Sequence, residues 1–266
     1  MELRQACHAA GIGVVAASEH TGPPRPHRAV PALSSRLVVS LGAPIDVRYG
    51  DETRRMQAVV TGMMRPGTAT PVLALLPHQP MVYVELSPLA AQRLIGVPLS
   101  EVDAGGVGAE ALLPWMSRLG EELADHPAGL RAALMRRRLL ERLDGATRPG
   151  VSPYAVEALK IIQAGHGQVP AEDVARRVHL SPRRLRQVMH DAVGIGPKYA
   201  SRVARLAAAV RRAGAGADSW AQVAAESAYH DQSHLVRDFH DLMRTTPTAW
   251  LAEEGRNLQG WRRPTP

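Results

Sequence analysis

Between residues 174 and 250 one pattern of apolar and polar positions is written twice. Val174, Ala175 and Val178 fall at helical spacing over a short stretch, with Pro170 suited to the first turn of that helix. His179-Leu180 makes a tight turn, Ser181 is a good N-cap, and Pro182 a good first residue for a second helix. On that helix Leu185, Val188 and Met189 occupy i, i+3 and i+4, which is one inward face. Val223-Ala224, Tyr229, Asp231, Leu235, Phe239 and Pro247 repeat the scheme, with either Asp218 or Ser219 as the cap of the leading helix and Asp231 as the cap of the next. The offset is 223 − 174 = 49 before the turn and 235 − 185 = 50 after it, His230 being the extra residue. A fixed internal offset marks a duplicated supersecondary unit. Each copy reads as a helix-turn-helix, with the small Ala175 where two helices crossing at roughly 90–120° approach closely.

The segment between the copies, Lys198 to Arg212, predicts one long helix with Val203, Leu206 and Val210 at apolar spacing. About 15 residues at a rise of 1.5 Å span roughly 22 Å. A spacer of that length can hold two helices in successive major grooves, roughly 34 Å apart.

Toward the N-terminus the period changes to two. Leu37–Leu41 and Ile45–Tyr49, joined by Gly42-Ala43-Pro44, predict a hairpin, and Gln57–Gly62, Val72–Leu76 and Met81–Leu86 continue the series of short strands. Such a series suggests a small barrel or sandwich. Ser87-Pro88 opens a helix over Leu89–Ile95 that Gly96-Val97-Pro98 ends, and Leu112–Ala124 and Ala128–Leu143 predict two more. The last has Leu130, Leu134 and Leu140 to Leu143 on its apolar side and Arg136-Arg137-Arg138 across the other; packing on the strands is the default use and a dimer seam the alternative. Residues 1–30 carry little pattern, and Gly22-Pro23-Pro24-Arg25-Pro26 reads as irregular loop. The predicted class is therefore α+β: a β-rich N-terminal domain with flanking helices over residues 1–145, a linker at 146–150, an all-α domain over 151–255 and a tail at 256–266.

Charge sharpens this division. The net +7 splits into 16 basic against 14 acidic residues over 1–150, so +2, and 16 against 11 over 151–266, so +5. Arg176 to Arg212 alone holds ten basic residues and one acid, Asp191, for +9. A charge run is ordinarily a solvated face, but this one coincides with the outward side of a helix carrying Arg183, Arg184, Arg186 and Gln187. Those side chains donate bidentate hydrogen bonds to guanine and adenine edges, and the run as a whole suits phosphates, with salt-dependent affinity. Thirty of the 32 basic residues are Arg, which reads first as compositional bias.

Other chemistries find little support. No apolar run of 18 residues is present and no basic-then-apolar leader opens the chain, so neither a membrane partner nor export is expected. The single Cys7 leaves no internal disulfide and fits a cytoplasmic, nucleoid-associated location. Cys7, His8, His20 and His27 match no zinc spacing, so no metal is expected. Gly105-Gly106-Val107-Gly108 lacks the Lys-Ser/Thr of a phosphate loop, and G-x-S-x-G and H-E-x-x-H are missing. Asp231, Ser233 and His234 share one short helix, where the aspartate is better read as a cap than as a member of a triad. No catalytic residue, enzyme activity or cofactor is expected.

The segments VARRVHLSPRRLRQVMHDAVGIGPKYASRVARLAAAV and VAAESAYHDQSHLVRDFHDLMRTTPTAWL place residues 152–251 in resemblance to the C-terminal DNA-binding domain of the AraC/XylS family of bacterial transcription regulators. The D-Q-S-H-x-x-R-x-F run followed by T-P-T-x-(aromatic)-L is the more specific part. Ala228 stands where the family usually has Gly, and Leu235 and Met189 where Phe is common. LVVSLGAPIDV, QAVVTGMM and VYVELSPLAAQRLIGVPLSEV resemble the N-terminal sensor region of an AraC-type subgroup, which implies a regulatory domain without naming its signal.

The expectation is a transcription regulator that binds double-stranded DNA. Arg183, Arg186 and Gln187 read bases in one groove, and Gln232, Ser233 and Arg237 in the next, at positions the resemblance implies are base-contacting. Arg176, Ser181, Arg184, Arg202, Arg205, Asp231 and His234 are assigned to the DNA backbone. His78, Tyr83 and Glu85 are the candidate effector-pocket residues, with Met56, Met63, Met64 and Met81 as an adaptable lining. A small-molecule effector, RNA polymerase and a second copy of the chain are further partners this reading leaves open. Two alternatives stand beside it: an effector-independent, architectural or constitutive DNA-binding regulator, and a DNA-repair or methyl-transfer enzyme, whose sole candidate nucleophile would be Cys7.

Overall fold

The computed structural model describes residues 2–145, 152–217 and 219–254. The linker expected at 146–150, the tail at 256–266 and Asp218 as a cap lie outside these residues.

The N-terminal part runs α1 (Glu2–Ala9), β1 (Ile12–His20), β2 (Arg25–Arg28), β3 (Ser35–Ser40), β4 (Ile45–Tyr49), β5 (Glu52–Met56), β6 (Ala58–Val60), β7 (Val72–Leu75), β8 (Gln79–Leu86), α2 (Pro88–Ile95), β9 (Val107–Gly108), α3 (Ala109–Leu112), α4 (Met116–Asp125) and α5 (Ala128–Asp144). The strands form two antiparallel sheets, in the orders β1-β8-β3-β6-β9 and β2-β7-β4-β5. Ile45, Val47 and Leu73 from the second sheet meet Val59 and Met81 from the first in a small apolar cluster. The expected β-rich part with flanking helices is present.

Several local expectations give way. Leu37–Leu41 and Ile45–Tyr49 are strands but not a hairpin: β3 pairs with β6 and β8, while β4 pairs with β5 and β7 in the other sheet. The corner between them is held by Ser40 Oγ and Gln79 Nε2 donating to Ala43 O at 2.6 and 2.7 Å. The stretch read as loop contains β2, and the patternless first 30 residues also supply β1, the edge partner of β8. β2 is an edge strand, the place where the ladder tolerates Pro26. The helix expected over Leu112–Ala124 is two, interrupted around Pro114, which has no N–H to continue the ladder. On α5 the buried residues are Leu134, Met135, Leu139 and Leu143, whereas Leu130 is exposed. α5 packs along β1, to which Arg136 Nη2 adds a bond at Val15 O of 2.6 Å. Ser87 caps α2 by accepting from Ala90 N, and Gly96 ends it in the left-handed conformation, both as expected.

The C-terminal part is all helical: α6 (Pro153–Ala164), α7 (Ala171–Arg177), α8 (Pro182–Val193), α9 (Pro197–Gly214), α10 (Trp220–Glu226), α11 (Gln232–Met243) and α12 (Pro247–Glu254). α7–α8 and α10–α11 are the two duplicated units, and α9 is the long helix between them. Leu185, Val188, Met189, Leu235, Phe239 and Leu242 are buried, as the spacing predicts. Phe239 sits between Trp220 and Trp250, with ring centroids 5.6 and 6.0 Å away, so α10, α11 and α12 close on one aromatic centre. No helix among the described residues is long and apolar enough to cross a membrane.

Candidate nucleic-acid interface and effector cavity

The duplication extends to the backbone. In the first turn Leu180 N donates to Ala175 O at 2.9 Å, and in the second Tyr229 N donates to Ala224 O at 3.0 Å. His179 and Ala228 hold the matching left-handed positions, at φ 56° and 54°. Ser181 caps α8 by accepting from Arg184 N, and Asp231 caps α11 by accepting from His234 N. Both long helices end alike, Gly194 N donating to His190 O and Arg244 N to His240 O, with left-handed residues at φ 76° and 51°. Two helices of 12 residues each are thus presented by equivalent turns, caps and ends.

Their outer faces are open. Arg183, Arg184, Arg186 and Gln187 on α8, and Gln232, Ser233 and Arg237 on α11, are all exposed. Gln187 Nε2 donates to Asp191 Oδ1 at 2.7 Å along its own helix. Arg176 is exposed and pairs with Asp173 at 2.5 Å. Asp231 is occupied as a cap: the His234 backbone N–H, and then the His230 side chain, hold its carboxyl below the usual range. A charged carboxylate repels phosphate, so its part is to order the helix N-terminus rather than to touch DNA. His234 is half-buried, edge-on to Tyr229 at 5.1 Å.

Two expected phosphate contacts are taken up inside the domain instead. Arg202 Nε and Nη2 donate to Asp238 Oδ1 at 2.9 and 2.7 Å, and Nη2 also reaches Asp241 at 2.7 Å. Asp238 is only 2% exposed, so this pair ties α9 to α11 through a buried carboxylate. Arg205 donates to Gly167 O at 3.2 Å and lies 5.5 Å from the centre of the Tyr229 ring. Burial pushes the Tyr229 phenol far up, and the Asp238 charge adds to the effect. The sequence carried a sign of this arrangement: Asp238 shares the inward face of α11 with Leu235, Phe239 and Leu242, and an inward carboxylate needs a cation.

Behind the two units, between the sheets and α9 and α12, lies a cavity of about 870 Å³. Val38, Val47, Leu73 and Met81 wall it on the sheet side, Ala204, Ala207 and Val210 on the α9 side. Arg25, Arg28, Arg36 and Arg211 line it together with Glu19, Glu85 and Glu254. The Nε atoms of Arg25, Arg28 and Arg36 are buried and have no hydrogen-bond partner among the described residues. Of the expected pocket residues, Tyr83 and Glu85 do line the cavity, the first with its phenol pushed up by burial, the second accepting from Ser34 Oγ at 2.7 Å. His78 does not: it sits at the tip of the β7–β8 turn with its side chain 79% exposed, 3.4 Å from Glu19. Of the methionines only Met81 lines the cavity; Met63 and Met64 are in the main core, and Met56 packs beside the smaller cluster.

The same region joins the two parts of the chain. Glu254 accepts from Arg28 N and lies 2.8 Å from His27 Nδ1. Arg28 Nη1 donates to Met243 O at 3.0 Å, Thr70 N to Leu242 O at 3.1 Å, and Arg244 Nη2 to Gly67 O at 3.4 Å. Tyr199 Oη donates to Arg65 O at 2.8 Å. Most of these bonds hold the C-terminal end of α11 and the end of α12.

Residues 174–253 match the family model described as a helix-turn-helix domain. The C-terminal units form an AraC-type helix-turn-helix domain. No curated protein matches the sequence significantly. Among solved structures, ToxT from Vibrio cholerae O395 is similar over 94% of this chain and 99% of its own, at 8% identity and a TM-score of 0.52. ToxT from Vibrio cholerae strain SCE256, bound to an unsaturated fatty acid, covers 94% and 95% at 10% identity and a TM-score of 0.50. ToxT from Vibrio cholerae O395 bound to (E)-4-(8-methylnaphthalen-1-yl)but-3-enoic acid covers 91% and 99% at 8% identity and a TM-score of 0.50. At such identities the likeness is one of fold, and it takes in the sheets as well as the AraC-type domain.

Within that domain α6 packs on α8 and α9, and Trp250 of α12 packs on Phe239 of α11. Cys7 lies far from this chemistry in sequence and is buried, with its thiol pushed up chiefly by desolvation, against the opposing pull of Arg136. That is the environment of an inert thiol rather than a nucleophile. Among the described residues no cluster of His, Cys, Asp and Glu could hold a metal ion.

Proposed function

We propose that the chain is a sequence-specific DNA-binding transcription regulator whose reading helices respond to a small organic acid in the cavity. The observation that carries the first half is the pair of equally capped helices whose polar faces are open. Arg183, Arg186 and Gln187 on α8 suit direct reading of guanine and adenine edges, and Gln232, Ser233 and Arg237 on α11 suit the neighbouring groove. Arg176, Arg184 and the α8 N-terminus at Ser181 fix register on the phosphates, while Asp231 keeps the α11 N-terminus in order with His234 packed beneath. Residues 1–145 act as the sensor and 151–255 as the reader.

The ligand class follows from the lining: apolar walls from both sheets and α9, with buried arginine donors that lack partners. An apolar body with one carboxylate satisfies both. The acids bound in the ToxT structures support the same choice. Selection of bound duplexes from a random pool, followed by gel shifts at graded salt, tests the first half. A single enriched motif whose affinity falls steeply with salt is expected; equal affinity for all duplexes overturns it. Thermal unfolding with decanoate tests the second half: the acid raises Tm, and decan-1-ol does so far less.

A further inference from the structure

Glu254 is the last described residue of α12 and is only 2% exposed, yet it faces a cavity rather than a packed core. Its carboxylate takes the His27 ring nitrogen at 2.8 Å and the Arg28 backbone N–H, while the Arg28 guanidinium goes on to Met243 O. These are the groups a free carboxylate entering the cavity at this end would seek. We infer that Glu254 is the cavity's built-in anion: it fills the His27–Arg28 seat from within the chain, and an incoming organic acid takes that seat by displacing it.

The inference rests on the effector reading above and adds how binding reaches the DNA. A carboxylate in a cavity of this kind is costly to bury without cationic or N–H partners, so two carboxylates do not share one seat. When the external acid occupies it, Glu254 turns to water and the tie of α12 to β2 weakens to the looser Arg28–Glu253 pair at 3.6 Å. α12 carries Trp250, which packs on Phe239 of α11, and Arg28 also holds the carbonyl at the end of α11. Release of Glu254 therefore loosens the C-terminal anchorage of the second reading helix, while α8, which has no bond to β2, keeps its place. The switch acts on one half of the DNA reader only.

The test compares the full chain with Glu254→Gln, using decanoate as the probe, calorimetry for ligand binding and gel shifts for DNA binding. Glu254→Gln removes the competing charge, so it binds decanoate roughly 5- to 150-fold more tightly than the wild type. Without any ligand its DNA affinity lies where saturating decanoate places the wild type, and decanoate moves it no further. His27→Leu empties the same seat from the sheet side and shifts DNA affinity in the same direction, so a defect confined to α12 would not mimic the result. If the wild type binds decanoate and Glu254→Gln binds it no better, with unchanged DNA affinity and response, the exchange is overturned while the effector reading stands. If neither protein binds decanoate, the organic-acid reading falls and the exchange falls with it.

Discussion

The two helix-turn-helix units share a backbone and differ in almost everything laid on it. In the first, α8 is capped by a neutral serine, ends on glycine, and turns a strongly basic surface outward. In the second, α11 is capped by an aspartate, ends on Arg244, buries Asp238 against Arg202, and has its far end bonded to the sheets. Duplication supplied two equal frames, and the side chains turned one into an open basic surface and the other into a joint with the β-rich part. What distinguishes the units is how many of their polar groups are already committed inside the protein.

That contrast can be broken experimentally, most severely at Arg202. Arg202→Ala leaves the buried Asp238 without its cation and should lower stability by about 2–3 kcal/mol in urea unfolding, the half-exposed guanidinium keeping the loss toward the low end. Arg176→Ala, which removes an exposed pair in the first unit, should change stability by less than about 0.5 kcal/mol. Equal losses at both sites would dissolve the distinction.

The next effect concerns binding rather than folding. Arg183→Ala or Arg186→Ala should each weaken binding to the selected duplex by roughly 1–3 kcal/mol and relax preference at one base pair, with Tm unchanged. If both leave gel-shift affinity intact, α8 is not the groove reader.

Smaller effects sharpen the comparison. Ala228 and Arg244 occupy left-handed positions at φ 54° and 51°, so Ala228→Gly and Arg244→Gly should each stabilise by about 1 kcal/mol. At the end of the first long helix Gly194 already holds the place equivalent to Arg244, so no comparable gain is left there.

The smallest effect is one of pH. Asp231 has its pKa lowered, first by the His234 backbone N–H, so its cap contributes stability above the unfolded-state value and loses it as pH falls through the folded one. Ser181 does not titrate in this range. The protection of the His234 amide against exchange, taken relative to its intrinsic rate at each pH, should therefore fall in acid while that of Arg184 does not, and Asp231→Asn should abolish the difference.

The duplicated units were legible because their signals are local. Caps at Ser181 and Asp231, and apolar residues three and four apart, fix helices whatever surrounds them. The strands were only half legible: alternation marks Ile45–Tyr49 as a strand but says nothing of its partner, and the pairing with β5 and β7 depends on a corner built by Gln79, some 35 residues away. β2 hid behind Pro26, because an edge strand needs neither alternation nor a full set of N–H groups. Counting positive charge could not separate Arg183, exposed on its helix, from Arg202, spent on Asp238. The cavity was the least readable feature, since its anion seat joins residues 27 and 28 to residue 254.

α9 serves two masters. Ala204, Ala207 and Val210 are a wall of the cavity, and the same 18-residue helix sets the interval between α8 and α11. At 1.5 Å per residue the helix is roughly 27 Å long, so a tilt of about 5° carries its far end by roughly 2 Å. Successive bases along a strand are about 3.4 Å apart. Under the proposed function, a guest that leans on those alanines would put α8 and α11 out of phase by a fraction of a base step, so its girth would be reported as a mismatch in spacing along the promoter.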